Sequence, residues 1–87
     1  MKHLHVVIFG QMCATCTLLY KRVVDVLEEL RYPYEIEKVE DPAVILAHGF
    51  VITPALVVNQ KVLAQGEIPF FDTLKKEMIQ IATEEEQ

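Results

Sequence analysis

The first forty residues alternate strand-like and helix-like patterns, and this order limits the folds open to the chain. Leu4 to Phe9 is a short β-branched run that ends at Gly10, which predicts a buried strand. Tyr34 to Val39 alternates apolar and charged residues and predicts a second strand. Between them, one helical stripe predicts a helix from about Cys13 or Ala14 to Leu30; it comprises Leu19, Val23, Val26, Leu27 and Leu30. A strand–helix–strand unit favours a parallel pair with a right-handed crossover.

The second half of the chain predicts a short helix, a hairpin and a final helix. Asp41-Pro42 is a good helix start and Gly49 a good helix end, so Ala43 to His48 lies in a helix of about two turns. Ala55 to Val58 and Lys61 to Ala64 are strands close enough in sequence to pair as an antiparallel hairpin. A stripe from Phe71 to Ala82 predicts the last helix.

The expected architecture is therefore an α/β, three-layer fold in the order β-α-β-α-β-β-α. Its four-stranded mixed sheet has helices on both faces. We expect the acidic end, about residues 83–87, to be a frayed and solvated tail.

Length, composition and charge restrict the function. The 87 residues suit a single domain, 1–87, and 52% apolar residues indicate a globular chain. No apolar run approaches the roughly 18 residues that span a bilayer, and no secretory signal is visible. A net charge of −5 argues against nucleic acid as the main partner. We expect a cytoplasmic monomer that does not bind membranes and that recognises another protein.

The two cysteines, Cys13 and Cys16, indicate a chemical role rather than a structural one. A disulfide between them closes a tiny loop and removes little entropy from the unfolded chain. They form only half of a four-ligand zinc set, and no second pair exists. They stand where the first strand gives way to the first helix, whose dipole favours a thiolate. We therefore expect a Cys13 pKa below the usual value of about 8.5.

This placement predicts a two-step thiol–disulfide exchange. The Cys13 thiolate attacks a substrate disulfide, and the more buried Cys16 then resolves the mixed disulfide. The reverse sequence oxidises a dithiol. Cys13 and Cys16 are accordingly the candidate catalytic residues.

Two segments beyond the cysteines extend the pattern: Ile52 to Asn59 (ITPALVVN), and Gly66 before the last helix. With Gly10 to Cys16 (GQMCATC), they resemble the thioredoxin superfamily from about Leu4 to Ala82. The resemblance is greatest to its small redox-active disulfide proteins, which lack the usual N-terminal strand and helix.

The resemblance implies a site and its partners. The Thr53–Pro54 bond would be cis and lie against the disulfide, and Thr53 would offer backbone groups to an extended substrate segment. Met12, Thr53, Pro54 and Gly66 are the candidate substrate-binding residues, with Met12 as an exposed apolar docking residue. The partners would be a protein disulfide substrate and a separate reductase, with no cofactor. Unlike thioredoxins proper, the chain has no Trp, has Ala14-Thr15 between the cysteines, and carries no acid among Val6, Val7 and Ile8.

Two other interpretations remain open at this point. Thiolates and a thioether suit a soft metal or metalloid, so the chain could be a dithiol carrier that uses Cys13, Cys16 and Met12. It could also be a redox-inert interaction domain on the same scaffold. His3 and His5 share a strand face but suit solvated positions better than metal ligands, so we predict no metal site there.

Overall fold

The computed structural model describes residues 3–11 and 14–85, and its element order is the predicted one. Each predicted strand and helix is present; β4 is one residue longer than the sequence pattern indicates, α2 ends one residue earlier, and α3 ends three residues later. The elements are β1 (Leu4–Phe9), α1 (Ala14–Leu30), β2 (Tyr34–Val39), α2 (Pro42–Ala47), β3 (Ala55–Val58), β4 (Lys61–Gln65) and α3 (Phe71–Glu85).

The four strands form one mixed sheet, as predicted, and their order in it is β2-β1-β3-β4. β1 and β2 are parallel and in register from Leu4 opposite Tyr34 to Phe9 opposite Val39. β3 lies antiparallel to both β1 and β4. Because β1 and β2 end together, the next residue, Gly10, still donates its N–H to the carbonyl of Val39 at 2.9 Å. The chain leaves this edge of the sheet to begin α1.

Helices cover both faces of the sheet, but they cover them unequally. α1 and α3 pack on one face, where the fully buried Leu19, Leu27 and Leu74 lie against alternate residues of β1 and β3. On the other face, Ile45 of the shorter α2 packs with Phe9 and Ala55. The burial thus follows the alternation of each strand, since successive side chains point to opposite faces.

Local signals in the sequence set the boundaries of α2. The Asp41 carboxylate accepts a hydrogen bond from the N–H of Ala43 at 2.9 Å, and Pro42 occupies the first turn. Gly49 follows the helix with φ at +88°, a conformation that favours glycine. The imidazole of His48 contacts the carbonyl of Val44 at 2.9 Å, and so complements the helix end.

The turn between β3 and β4 also anchors β1. Asn59 and Gln60 both have positive φ, of 48° and 70°, as a two-residue hairpin turn requires. Asn59 donates its N–H to the carbonyl of His5, and its side-chain oxygen accepts the N–H of His5 at 2.7 Å. The hairpin is therefore fixed to the start of the central strand.

α3 continues to Glu85 and so extends into the predicted tail, where Thr83 and Glu84 are exposed. The Thr83 hydroxyl donates to the carbonyl of Ile79 at 2.8 Å. Lys61 of β4 binds the carboxylate of Glu84, which also accepts a hydrogen bond from Gln80. The hydrogen bond from Lys61 lowers the pKa of the Glu84 carboxyl. Two of these contacts lie within the helix, four residues apart, and the Lys61 contact joins its last turn to β4 across 23 positions.

Among the described residues, no helix has the length and apolar character needed to cross a membrane.

The Asp41 cap gives a first prediction. Asp41→Ala should lower the free energy of unfolding by about 0.5–2 kcal/mol, because the Ala43 N–H loses its acceptor. For a domain of this size, each kcal/mol lost should lower the melting temperature by about 4–8 °C. Asp41→Asn is the matched control and should melt near wild type, since Asn also caps helices well. Equal losses in the two variants would show that the charge, rather than the hydrogen bond, stabilises α2.

Candidate functional site

The site is built around Cys16, which lies in the first turn of α1. Its side chain is only 5% exposed, whereas the preceding Ala14 and Thr15 are exposed. Leu19, three residues later, is fully buried in the main core, so the helix face that carries Cys16 turns inward. The predicted nucleophile Cys13 and the docking residue Met12 lie outside the described residues.

Gly10 brings Cys16 and Pro54 to a common point. A Cβ placed on Gly10 would lie 2.7 Å from the sulfur of Cys16. The same Cβ would lie 3.5 Å from the Cα and 3.6 Å from the Cβ of Pro54. The thiol sulfur and the proline therefore border one small space at the end of β1. Residues separated by 38 positions in the chain meet there.

The peptide bond between Thr53 and Pro54 is cis, as the resemblance implies. Pro54 is buried, while Thr53 is exposed at the head of β3. No hydrogen bond engages the backbone groups of Thr53 within the described part of the chain. Val51 and Ile52 precede it and are 80% and 56% exposed. A backbone able to form hydrogen bonds thus stands beside the buried sulfur, next to an apolar surface.

Gly66 fixes the carbonyl of Pro54 from the opposite strand. Its N–H donates to that oxygen at 2.7 Å, one residue beyond the end of β4. Its φ of +79° favours glycine, and a Cβ there would overlap the Cγ2 methyl of Ile52. Gly66 therefore belongs to the site by contact, and it allows Ile52 to lie directly over the loop.

A groove of mixed character lies along α1, where Lys21, Arg22 and Asp25 line it beside apolar side chains. Leu18, 58% exposed, lines the groove with Ile68 from the segment before α3. Arg22 also lines this groove and donates a hydrogen bond to the carbonyl of Pro69 at 3.0 Å. The groove ties the start of α1, where Cys16 lies, to the loop that follows Gly66.

Charged and metal-binding groups do not gather at this site in the described ranges. The first turn of α1 contains no acidic side chain. Residues 3–11 and 14–85 contain no cluster of three or more His, Cys, Asp or Glu side chains that could hold a metal ion. His5 and His48 line a groove on the α2 face of the sheet, and His3 lies 3.8 Å from the carboxylate of Glu35.

The described part of the site brings together four of the six candidate residues. Cys16 and Pro54 share the space at Gly10, Thr53 forms the cis bond, and Gly66 binds the carbonyl of Pro54. The sequence pattern did not single out Ile52 as a neighbour of Gly66. The sequence signal that could have found it is the apolar pair Val51-Ile52, which lies shortly before Pro54 and ahead of the start of β3.

The comparisons with known proteins agree with this geometry. The sequence profile of a thioredoxin domain family matches residues 3–80. A thioredoxin of Methanocaldococcus jannaschii is 35% identical over 71 residues, which cover 82% of this chain and 81% of that protein. A thioredoxin of Methanothermobacter thermautotrophicus is 30% identical over 69 residues, or 79% of this chain and 90% of that protein.

Solved structures show the same fold. The crystal structure of chloroplastic thioredoxin z superposes with a TM-score of 0.75 at 19% identity. The match covers 94% of this chain and 80% of that one. The chain therefore belongs to the thioredoxin domain family, and its activity is that of a thiol–disulfide oxidoreductase.

The two glycines with positive φ give a second prediction. Gly49→Ala should cost roughly 1–2 kcal/mol of unfolding free energy from its backbone conformation alone, because nothing lies within 4 Å of the added Cβ. Gly66→Ala has a similar φ but also meets Ile52, so it should cost about 1–3 kcal/mol more. Urea unfolding of the reduced protein measures both. Ile52→Ala should remove most of the excess at Gly66, and equal losses at the two glycines would contradict the contact.

Proposed function

We propose that this protein exchanges disulfides with protein substrates through the dithiol of Cys13 and Cys16. The observation that carries the proposal is the buried sulfur of Cys16, in the first turn of α1 and beside the cis-proline Pro54. A role in packing alone would not account for the exposed backbone of Thr53 beside this sulfur, which can form hydrogen bonds with a partner.

The proposed reaction has two balanced steps. The Cys13 thiolate attacks one sulfur of the substrate disulfide, and the other substrate sulfur leaves with the electron pair as a thiolate. Cys16 then loses its proton and attacks the sulfur of Cys13, which releases the second substrate thiolate. The substrate gains two electrons and two protons, and the protein is left with a Cys13–Cys16 disulfide. A separate reductase restores the dithiol.

The helix start supports Cys13 as the nucleophile. Unpaired N–H groups and the dipole at the N-terminus of a helix favour negative charge. α1 is 17 residues long and places no acidic side chain in its first turn to oppose that charge. Cys16 is only 5% exposed, which suits a resolving thiol that meets the mixed disulfide from inside the protein.

The loop before β3 supports an extended protein segment as the substrate. Thr53 offers backbone groups that bind no other described residue, so a substrate strand can pair with them. The exposed Val51 and Ile52 provide apolar contact beside that strand, next to the exposed Gly66. Met12 joins the proposed substrate-binding residues because it directly precedes Cys13 in the sequence. We propose that the chain acts in the cytoplasm as a monomer and needs no cofactor.

Trapping of the mixed disulfide tests the function. With Cys16→Ser, the first step proceeds and the second is blocked, so a disulfide-containing protein such as insulin should remain bonded to Cys13. Mass spectrometry of the acid-quenched mixture should show one adduct per chain, removable by dithiothreitol.

Cys13→Ser is the matched control and should form no such adduct, because the buried Cys16 is shielded from a protein substrate. In wild type, insulin reduction by dithiothreitol should be accelerated, and both variants should lose most of that acceleration. A Cys16→Ser protein that traps nothing, beside a wild type that accelerates nothing, would contradict the proposal.

A further inference from the structure

Gly10 lies so close to the buried sulfur of Cys16 that the space between them has no room for a side chain. A Cβ at this position would lie 2.7 Å from the sulfur of Cys16, well inside van der Waals contact. Gly49 and Gly66 have positive φ, whereas Gly10 does not, so an alanine fits its backbone conformation. The requirement for glycine at Gly10 therefore comes from the sulfur and not from the chain path.

If a side chain is added at Gly10, the sulfur of Cys16 is the neighbouring group that moves most easily. Gly10 is held to β2 by its N–H bond to the carbonyl of Val39, at 2.9 Å. On the other side, Pro54 is buried and its carbonyl is bound by Gly66 at 2.7 Å. The sulfur of Cys16 can move by rotation about the Cα–Cβ bond of its own residue, to another staggered rotamer. An added methyl group would thus displace the sulfur before it moved either strand.

We propose that Gly10 is a positioning residue for the dithiol, one that sets the place of the Cys16 sulfur and thereby the resolving step. This inference rests on the proposed function and extends it to Gly10, which carries no reactive side chain. A disulfide has strict bond and torsion requirements, whereas a thiol tolerates other rotamers. Displacement of the Cys16 sulfur therefore opposes formation of the Cys13–Cys16 disulfide more than it disturbs the dithiol.

Gly10→Ala should consequently weaken the intramolecular disulfide. We expect a roughly tenfold lower equilibrium constant for its formation, a potential about 30 mV less negative. The mixed disulfide with insulin should persist about tenfold longer in a single-turnover experiment, while the rate of its formation through Cys13 stays near wild type. Gly49→Ala, at the far end of α2, is the control and should leave the potential and both rates unchanged.

A stability comparison tests the contact itself, independently of redox activity. In the reduced protein, Gly10→Ala should lower the urea midpoint if Cys16 is present. In a Cys16→Ala background, the same substitution should leave the midpoint unchanged or raise it, because the sulfur is gone and alanine restricts the unfolded chain. Should Gly10→Ala fail to fold alone, recovery of folding by the added Cys16→Ala would give the same support.

The experiments distinguish a failure of this inference from a failure of the proposed function. If wild type exchanges no disulfide, the proposed function fails, while the two backgrounds still report whether Gly10 positions the sulfur. If wild type is active and Gly10→Ala has a wild-type potential and wild-type resolution, Gly10 does not position the dithiol. Equal destabilisation with and without Cys16 would likewise overturn the inference and leave Gly10 a packing residue.

Discussion

The parallel pairing of β1 with β2 is the constraint on which the rest of the molecule depends. The two strands run in register over six residues and end together at Phe9 and Val39. A parallel pair cannot be closed by a tight turn, so the chain needs a crossover, and α1 provides it. The burial of α1 on the sheet then fixes which face of its first turn points inward. Cys16 lies on that inward face, three residues before the buried Leu19.

The hairpin supplies the other half of the site for a different physical reason. β3 is antiparallel to β1, so its start lies at the edge where β1 ends, with Ala55 opposite Phe9. Pro54 comes one residue earlier and therefore reaches the start of α1. β4 returns along β3 and places Gly66 against the carbonyl of Pro54. The meeting of thiol and proline is thus a consequence of strand order and register.

Sequence patterns predicted the elements well because each is signalled locally. The bounds of β1 and β2 follow from apolar runs and alternation, and α2 follows from Asp41, Pro42 and Gly49 within nine residues. The contact of Glu84 with Lys61 did not follow from the pattern, because the two residues lie 23 positions apart in the chain. The contact between Gly10 and the sulfur was equally hidden, since glycine after a strand also serves ordinary turns.

Packing on both faces of the sheet explains how a small domain can hold this site in place. α1 and α3 bury a large cluster on one face, and Phe9, Ile45 and Ala55 form a smaller one on the other. The candidate site lies between the two clusters: Phe9 and Ala55 of the smaller one adjoin Gly10 and Pro54, and Leu19 of the larger one follows Cys16 by one helical turn. Moving the backbone at Gly10 or Pro54 would disturb packing on the α2 face, and moving the first turn of α1 would disturb the main core. The space beside the sulfur is therefore bounded by both clusters, although neither contains the reacting atoms.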